Sequence, residues 1–211
     1  MLRSLLPAAL VLSLAGCSGE KAPTVAPPEP TQTTLLEAGV ETAVLAPNSS
    51  MRLVSRGDGE VLLSAGFFSR NEMARISLTS KASWAPDSRR LFINDSGSAA
   101  WSTFRLFDIA SNGVGTERTE IHRAAVAELG RLNGCALVPE PDATTWGLAW
   151  ADGGRQVYVL AMARRETGDC HWNAVTTVLA IADTESGRLL EALPEDAARV
   201  LYPQLPWDGP L

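Results

Sequence analysis

Two segments of this chain repeat one another in a way that few folds can accommodate. Ser83-Trp84-Ala85-Pro86-Asp87-Ser88-Arg89-Arg90-Leu91-Phe92-Ile93 runs parallel to Ala149-Trp150-Ala151-Asp152-Gly153-Gly154-Arg155-Gln156-Val157-Tyr158-Val159. In each, a tryptophan closes one apolar run, an Asp-centred turn reverses the chain, and an aliphatic-aromatic-aliphatic triplet opens the next. A further run follows in each copy, ending Phe107-Asp108-Ile109 in one and Ile181-Ala182-Asp183 in the other, before a Gly turn at Asn112-Gly113 or Ser186-Gly187. Repetition of hairpins on this scale points to units that bury their apolar faces against neighbouring copies. A weaker third copy is expected over Met51 to Ala65, where Arg56-Gly57-Asp58-Gly59 supplies the turn and Val61-Leu62-Leu63 the strand.

The rest of the body follows the same short-strand pattern, broken by Gly, Asp, Asn and Pro. Strands are predicted at 51–55, 60–65, 74–78, 90–93, 103–109, 147–150, 156–162, 175–182 and 188–192, spaced for antiparallel hairpins and not for βαβ units. One segment departs from it. Ile121, Ala125, Leu129 and Leu132 recur at helical spacing within 117–132, and Gly134 supplies the stop, which predicts a single amphipathic helix inserted near 117–133. The expected fold class is therefore mainly β, antiparallel, with one inserted helix.

The Trp84-Ala85-Pro86-Asp87 turn resembles the repeat of TolB-type, WD-like β-propellers, in which a Trp-Ser-Pro-Asp-Gly-like turn joins the two inner strands of a blade. The Trp150 copy lacks the proline, and the copies stand further apart than a blade of about 40 to 45 residues, so the helix and its flanks would be an insertion. The resemblance implies blade-like sheets in a partial or small propeller-like array. On that reading Trp84 and Trp150 pack between neighbouring sheets, each with an indole N–H that needs a partner. Asp87 and Asp152 would accept hydrogen bonds from turn amides, which sets hairpin register. The competing reading puts these carboxylates around a cation, which requires several converging oxygen ligands; no metal site is assigned.

The N-terminus carries an address. Arg3 precedes an apolar run from Leu5 to Leu14, the layout of a secretory signal and too short to span a bilayer. Leu14-Ala15-Gly16-Cys17 resembles the lipobox of bacterial lipoproteins. That resemblance implies removal of residues 1–16, acylation of Cys17 and a membrane anchor of two or three acyl chains. Ser18 at the next position implies, in the Gram-negative sorting pattern, export to the outer membrane with the head facing the periplasm. Residues 17–34, SGEKAPTVAPPEPTQTT after the cysteine, hold four prolines and few large apolar side chains and read as a tether. Pro27-Pro28-Glu29-Pro30 is also compatible with a polyproline II ligand. The remainder, 35–211, fits one domain.

Charge and chemistry narrow the function. Eighteen Lys and Arg against 24 Asp and Glu, for a net charge of -6, give no basic field for a phosphate backbone, so nucleic acid is not an expected partner. Apart from Cys17, two cysteines remain, and an even number in an oxidising compartment predicts a Cys135–Cys170 disulfide. The alternative, a reactive Cys170 beside His171, is disfavoured because neighbours on a strand face opposite ways. Gly-x-Ser-x-Gly, His-Glu-x-x-His, Gly-x-x-x-x-Gly-Lys and Cys-x-x-Cys are all absent, and His122 falls on the proposed helix with a solvent-facing or capping role as its default. No catalytic residue and no cofactor is assigned. The expected function is a non-catalytic module of the envelope that binds a protein or a glycan. A hydrolase acting on envelope material and a structural accessory of an envelope complex are the alternatives.

Overall fold

Period-two alternation makes most of this chain extended: in the strand Met51–Ser55, Met51, Leu53 and Ser55 are buried while Arg52 between them is exposed. The computed structural model describes residues 24–37, 39–56, 58–65, 69–76, 79–98, 101–139, 142–163, 170 and 175–207. The strands are β1 (Thr34–Glu37), β2 (Thr42–Leu45), β3 (Met51–Ser55), β4 (Glu60–Ala65), β5 (Ser69–Arg75), β6 (Thr79–Trp84), β7 (Arg90–Ser98), β8 (Trp101–Ile109), β9 (Gly115–Arg118), β10 (Ala143–Ala151), β11 (Gln156–Ala163), β12 (Thr177–Asp183) and β13 (Leu189–Pro194). Helix α1 (Glu120–Leu132) follows β9, and helix α2 (Glu195–Leu201) follows β13.

The strands form three antiparallel sheets. The first runs β2-β3-β4-β5, the second β1-β6-β7-β8-β9 and the third β10-β11-β12-β13. Within each sheet consecutive strands pair, and β1 alone crosses over, pairing Thr34–Glu37 with Thr79–Ala82 of β6. Leu53, Val61 and Leu63 of the first sheet pack on Trp84, Leu91, Ile93 and Phe107 of the second. The opposite face of the second sheet sets Phe92, Phe104 and Leu106 against Trp150, Val157 and Val159 of the third. Beside this contact, α1 lays Ala125, Val126 and Leu129 on Ala161, Val178 and Ala180. The far face of the third sheet is covered by both ends of the described chain, Val25 and Ala26 on one side and Ala198, Tyr202, Leu205 and Trp207 on the other. Among the described residues no cluster joins the first sheet to the third, so the three sheets form an open stack in chain order.

The mainly β, antiparallel class expected from the pattern is what the chain adopts, with differences of detail. The expected strand at 74–78 is not one element: β5 ends at Arg75 and β6 begins at Thr79. Helix α1 starts at Glu120 and not at Glu117, because Gly115–Arg118 pairs with β8 as an edge strand. An ion-pair ladder holds that junction, from Arg90 to Asp108 (3.1 Å), Asp108 to Arg118 (2.8 Å) and Arg118 to Glu120 (3.2 Å). A second helix, α2, corrects the expectation of one; its seven residues bury only Ala198, too little to show as helical periodicity.

The proline-rich stretch read as a tether is, from Thr24 onward, held on the third sheet. Glu29 N donates to Trp150 O (2.8 Å), Trp150 N donates to Thr31 Oγ1 (3.0 Å), and Gly153 N donates to Glu29 Oε1 (2.7 Å). β10 would otherwise present an open edge, and these bonds occupy it. Residues 1–23, with the lipobox and Cys17, lie outside the described residues.

Candidate functional site

The repeated tryptophans take equivalent places. Trp84 ends β6, is 8% exposed and directs its indole N–H at the Val44 carbonyl of the first sheet (3.4 Å). Trp150 near the end of β10 is 1% exposed, stacks 5.1 Å from Phe92 and donates to Ser83 Oγ of the second sheet (3.2 Å). Each therefore reaches back to the preceding sheet and finds its polar partner there.

The turn after each tryptophan shows where the third copy lies. In the β6–β7 turn Ser88 N donates to Ala85 O, Arg89 N donates to Asp87 Oδ1 (both 2.9 Å), and Ser88 has φ +59°. The β2–β3 turn repeats this with Ser49 N on Ala46 O (2.8 Å), Ser50 N on Asn48 Oδ1 (3.0 Å) and Ser49 at φ +57°. Leu45-Ala46-Pro47-Asn48 is thus the counterpart of Trp84-Ala85-Pro86-Asp87. Arg56-Gly57-Asp58-Gly59, expected in that role, instead belongs to the β3–β4 hairpin, where Glu60 N donates to Asp58 Oδ1 (3.0 Å). In the β10–β11 turn Gly154 takes the left-handed position, and Asp152 is offset by one residue from Asp87. The Asp152 carboxylate meets the Arg155 guanidinium (2.7 Å) in place of the turn amides expected for it. The three turns touch in sequence: Asn48 N donates to Ser88 Oγ (3.0 Å), and a Cβ at Gly154 would stand 2.8 Å from that of Ala85.

Equivalence exposes a difference. Leu45 occupies the tryptophan position in the first sheet, yet it is 63% exposed. It points to the side on which a preceding sheet would lie, and no described element lies there. Ala43, Val54 and Leu62 share this outer face with Arg52 and Arg70, and none of these apolar side chains belongs to a core cluster. A hollow of about 390 Å³ lies at this face, lined by Leu45, Ser49, Arg52, Ser64 and Arg70 among others. Arg56 pairs with Glu60 (2.9 Å), whereas neither Arg52 nor Arg70 has an ion-pair partner among the described residues.

A second cleft, of about 360 Å³, lies where α1 meets the β8–β9 edge and is lined by Thr103, Glu117, Arg118, His122 and Arg123. His122 is not on the solvent side of its helix: its Nδ1 stands 2.7 Å from Thr145 Oγ1, which also accepts the Phe104 amide (2.9 Å). That buried hydroxyl and the imidazole tie α1 to β10. Glu117, the only carboxylate lining the cleft among the described residues, is gripped by two Arg105 nitrogens (2.9 and 2.7 Å). The hydrogen bond to Glu117 raises the Arg105 pKa above its ordinary value against the opposing effect of burial. Among the described residues the cleft offers no free carboxylate pair. Among the described residues, no three His, Cys, Asp or Glu side chains gather where they could share a metal ion, and Asp87 and Asp152 do not converge on one.

Cys135 and Cys170 stand at bonding distance, 2.04 Å between sulfurs and 5.2 Å between Cα atoms, and join the end of α1 to the approach to β12. His171, weighed as a partner for Cys170, lies outside the described residues. The cross-link spans 35 positions. In the chain-entropy account a loop of this length contributes about 3 to 4 kcal/mol, so reduction is expected to lower Tm on the order of 10 °C. Differential scanning calorimetry with and without reductant measures it; an unchanged Tm with both thiols alkylated would show the bond to be dispensable.

Among the described residues no helix is long and apolar enough to cross a membrane. No family model matches the chain, and no curated protein matches it.

Proposed function

We propose that the chain is a lipid-anchored lipoprotein of the outer membrane, facing the periplasm, and that its head is a non-catalytic binding module. On this reading the three sheets are blades of an open, propeller-like array, and the outer face of the first sheet is the docking surface. The observation that carries the reading is Leu45. The same position is filled by Trp84 and Trp150 in the other two sheets and buried there by a neighbouring sheet, whereas in the first sheet it stands 63% exposed beside Arg52 and Arg70.

The occupant that fits is an acidic segment of a partner protein. Arg52 and Arg70, which have no ion-pair partner among the described residues, stand with Glu41 around the exposed Leu45 and the half-buried Val54 and offer positive charge in a chain of net charge -6. Such a patch discriminates among partners through complementarity of charge, and its apolar centre supplies desolvated contact.

A photo-crosslinking residue at Leu45 in the full lipidated chain tests this. The expected result is one main adduct in the envelope, carrying an acidic segment identified by mass spectrometry. Its yield should fall at least tenfold in the double variant Arg52→Glu, Arg70→Glu and fall with added salt. Both side chains are exposed, so Tm should stay put. Yield indifferent to charge reversal, or matched by a crosslinker at the exposed Val114, would overturn the surface. Cys17→Ala should meanwhile abolish acyl labelling and release the head from membranes; acylated, membrane-bound variant would overturn the anchor.

A further inference from the structure

The position of Thr24 sets the direction in which the head hangs from its anchor. Gln156 grips the N-terminal segment at both ends of one peptide stretch: Nε2 donates to Thr24 O (3.0 Å), and Oε1 accepts the Ala26 N–H (2.9 Å). The Tyr158 hydroxyl donates to Ala26 O, and burial raises that phenol's pKa, which keeps the donor protonated. Val25 and Ala26 pack in the same cluster as Ala198 of α2 and as Tyr202, Leu205 and Trp207. The chain therefore enters the fold on the far face of the third sheet, the end of the stack opposite Leu45.

From Cys17 to Thr24 the chain advances seven positions, which even fully extended reach no more than about 25 Å. That is a short leash for a stack in which three sheets lie roughly 10 Å apart. The end at which it is fastened carries an uncovered apolar pair. Val200 is 79% and Leu201 58% exposed, on the solvent side of α2, and with Leu45 they are the most exposed large hydrophobic residues described. Around them, Glu195 is neutralised by Arg199 (2.6 Å), and Arg199 lies 4.6 Å over the Trp207 ring. An apolar pair flanked by arginine and tryptophan suits the boundary between headgroups and acyl chains.

We infer that α2 rests on the bilayer that holds the Cys17 acyl chains, with Val200 and Leu201 inserted, and that the outer face of the first sheet points away from that bilayer. The inference rests on the lipid anchor proposed above. It commits α2 to a lipid surface, and it makes the membrane-distal end of the molecule the one that is open to a soluble or peptidoglycan-side partner. The acyl chains supply the holding energy; the α2 contact supplies orientation, since two apolar side chains are too few to bind an acidic head on their own.

The test uses the full lipidated protein in phosphatidylcholine vesicles whose acyl chains are brominated. A bimane fluorophore is placed at Leu201→Cys in one preparation and at Leu45→Cys in another, and vesicle flotation is scored alongside. Both positions are exposed, so neither label disturbs the core. The expected result is flotation of both, with quenching at position 201 at least twofold and at position 45 within error of unbrominated vesicles. Flotation with position 201 unquenched, or with the two positions quenched alike, overturns the orientation and leaves the anchor standing. Failure to float overturns the anchor and the orientation together. As a second arm, the label moves to Ala197→Cys beside the double change Val200→Glu, Leu201→Glu: the protein should still float and quenching should fall at least twofold relative to Ala197→Cys alone.

Discussion

Replacing Trp150 by alanine is expected to cost about 3 to 5 kcal/mol, a large part of the stability of a domain of this size. Its indole is 1% exposed, stands between the second and third sheets against Phe92, and donates to a Ser83 hydroxyl that is itself 1% exposed. Truncation leaves a cavity and a buried hydroxyl without its donor, and each loss adds to the other. Trp84→Ala should cost somewhat less, because its ring is 8% exposed and its bond to Val44 O is longer, at 3.4 Å. Leu45→Ala, at the corresponding position of the first sheet, should change stability by no more than about 0.5 kcal/mol. Urea unfolding of the three variants gives this order directly. A Trp150 variant within 1 kcal/mol of the parent would mean that the sheets do not depend on this residue for their packing. A large loss at Leu45 would mean that its face is covered in solution.

The same three positions show what could be read from the chain alone. Strands with a continuous apolar run, such as 156–162, declare themselves because both faces are buried against neighbouring layers. β1, β5 and β9 do not. β1 and β9 have four residues each and β5 is largely polar, and they are strands because a neighbour pairs with them: Thr34–Glu37 is recruited by β6, more than forty residues away. The two tryptophan copies are legible in the sequence, but the third copy carries Leu45 in place of the tryptophan. That residue is needed only where a preceding sheet exists to receive it. The turn is needed in every copy, and Ala46-Pro47-Asn48-Ser49 matches Ala85-Pro86-Asp87-Ser88 at three of four residues and in hydrogen bonds and backbone angle. The Ala-Pro-Asn/Asp-Ser turn is the mark common to both copies, and it puts Leu45 at the tryptophan position on the open face. Arg52 and Arg70 had no such signal, since two exposed arginines acquire meaning only when strand register puts them on one side of a sheet. From Thr24 onward the proline-rich segment is docked on the fold instead of hanging free, for a related reason. Its backbone groups and the side chains of Glu29 and Thr31, more than its apolar content, fasten it to the β10 edge.

Asn94→Ala should rival the tryptophan variants, at about 3 to 5 kcal/mol, although it removes few atoms. Asn94 is fully buried on β7, where its Oδ1 accepts the Gly147 N–H (2.7 Å) and its Nδ2 donates to Gly147 O (2.8 Å). Gly147 sits at the register shift in β10, and its lack of a side chain is required: a Cβ there would come 2.8 Å from the Phe104 ring. One amide thus satisfies both backbone polar groups of Gly147, which stands opposite Val159 in the β10–β11 register. Alanine leaves both groups buried and unpaired. Asn94→Asp separates the hydrogen-bonding account from a volume account. A protonated carboxyl can accept from Gly147 N and donate to Gly147 O much as the amide does, whereas a carboxylate loses the donor and places a buried charge against a carbonyl. The folded-state pKa of this carboxyl should therefore lie above its unfolded value of about 3.9, and the penalty relative to the parent should grow as pH rises past ~4 toward neutrality. Urea titrations of the parent and the Asp variant between pH ~4 and ~7 measure that difference. A pH-independent penalty would show that the Asn94–Gly147 bonds do not join these sheets, and a penalty that shrinks with rising pH would reverse the sign on which the argument depends.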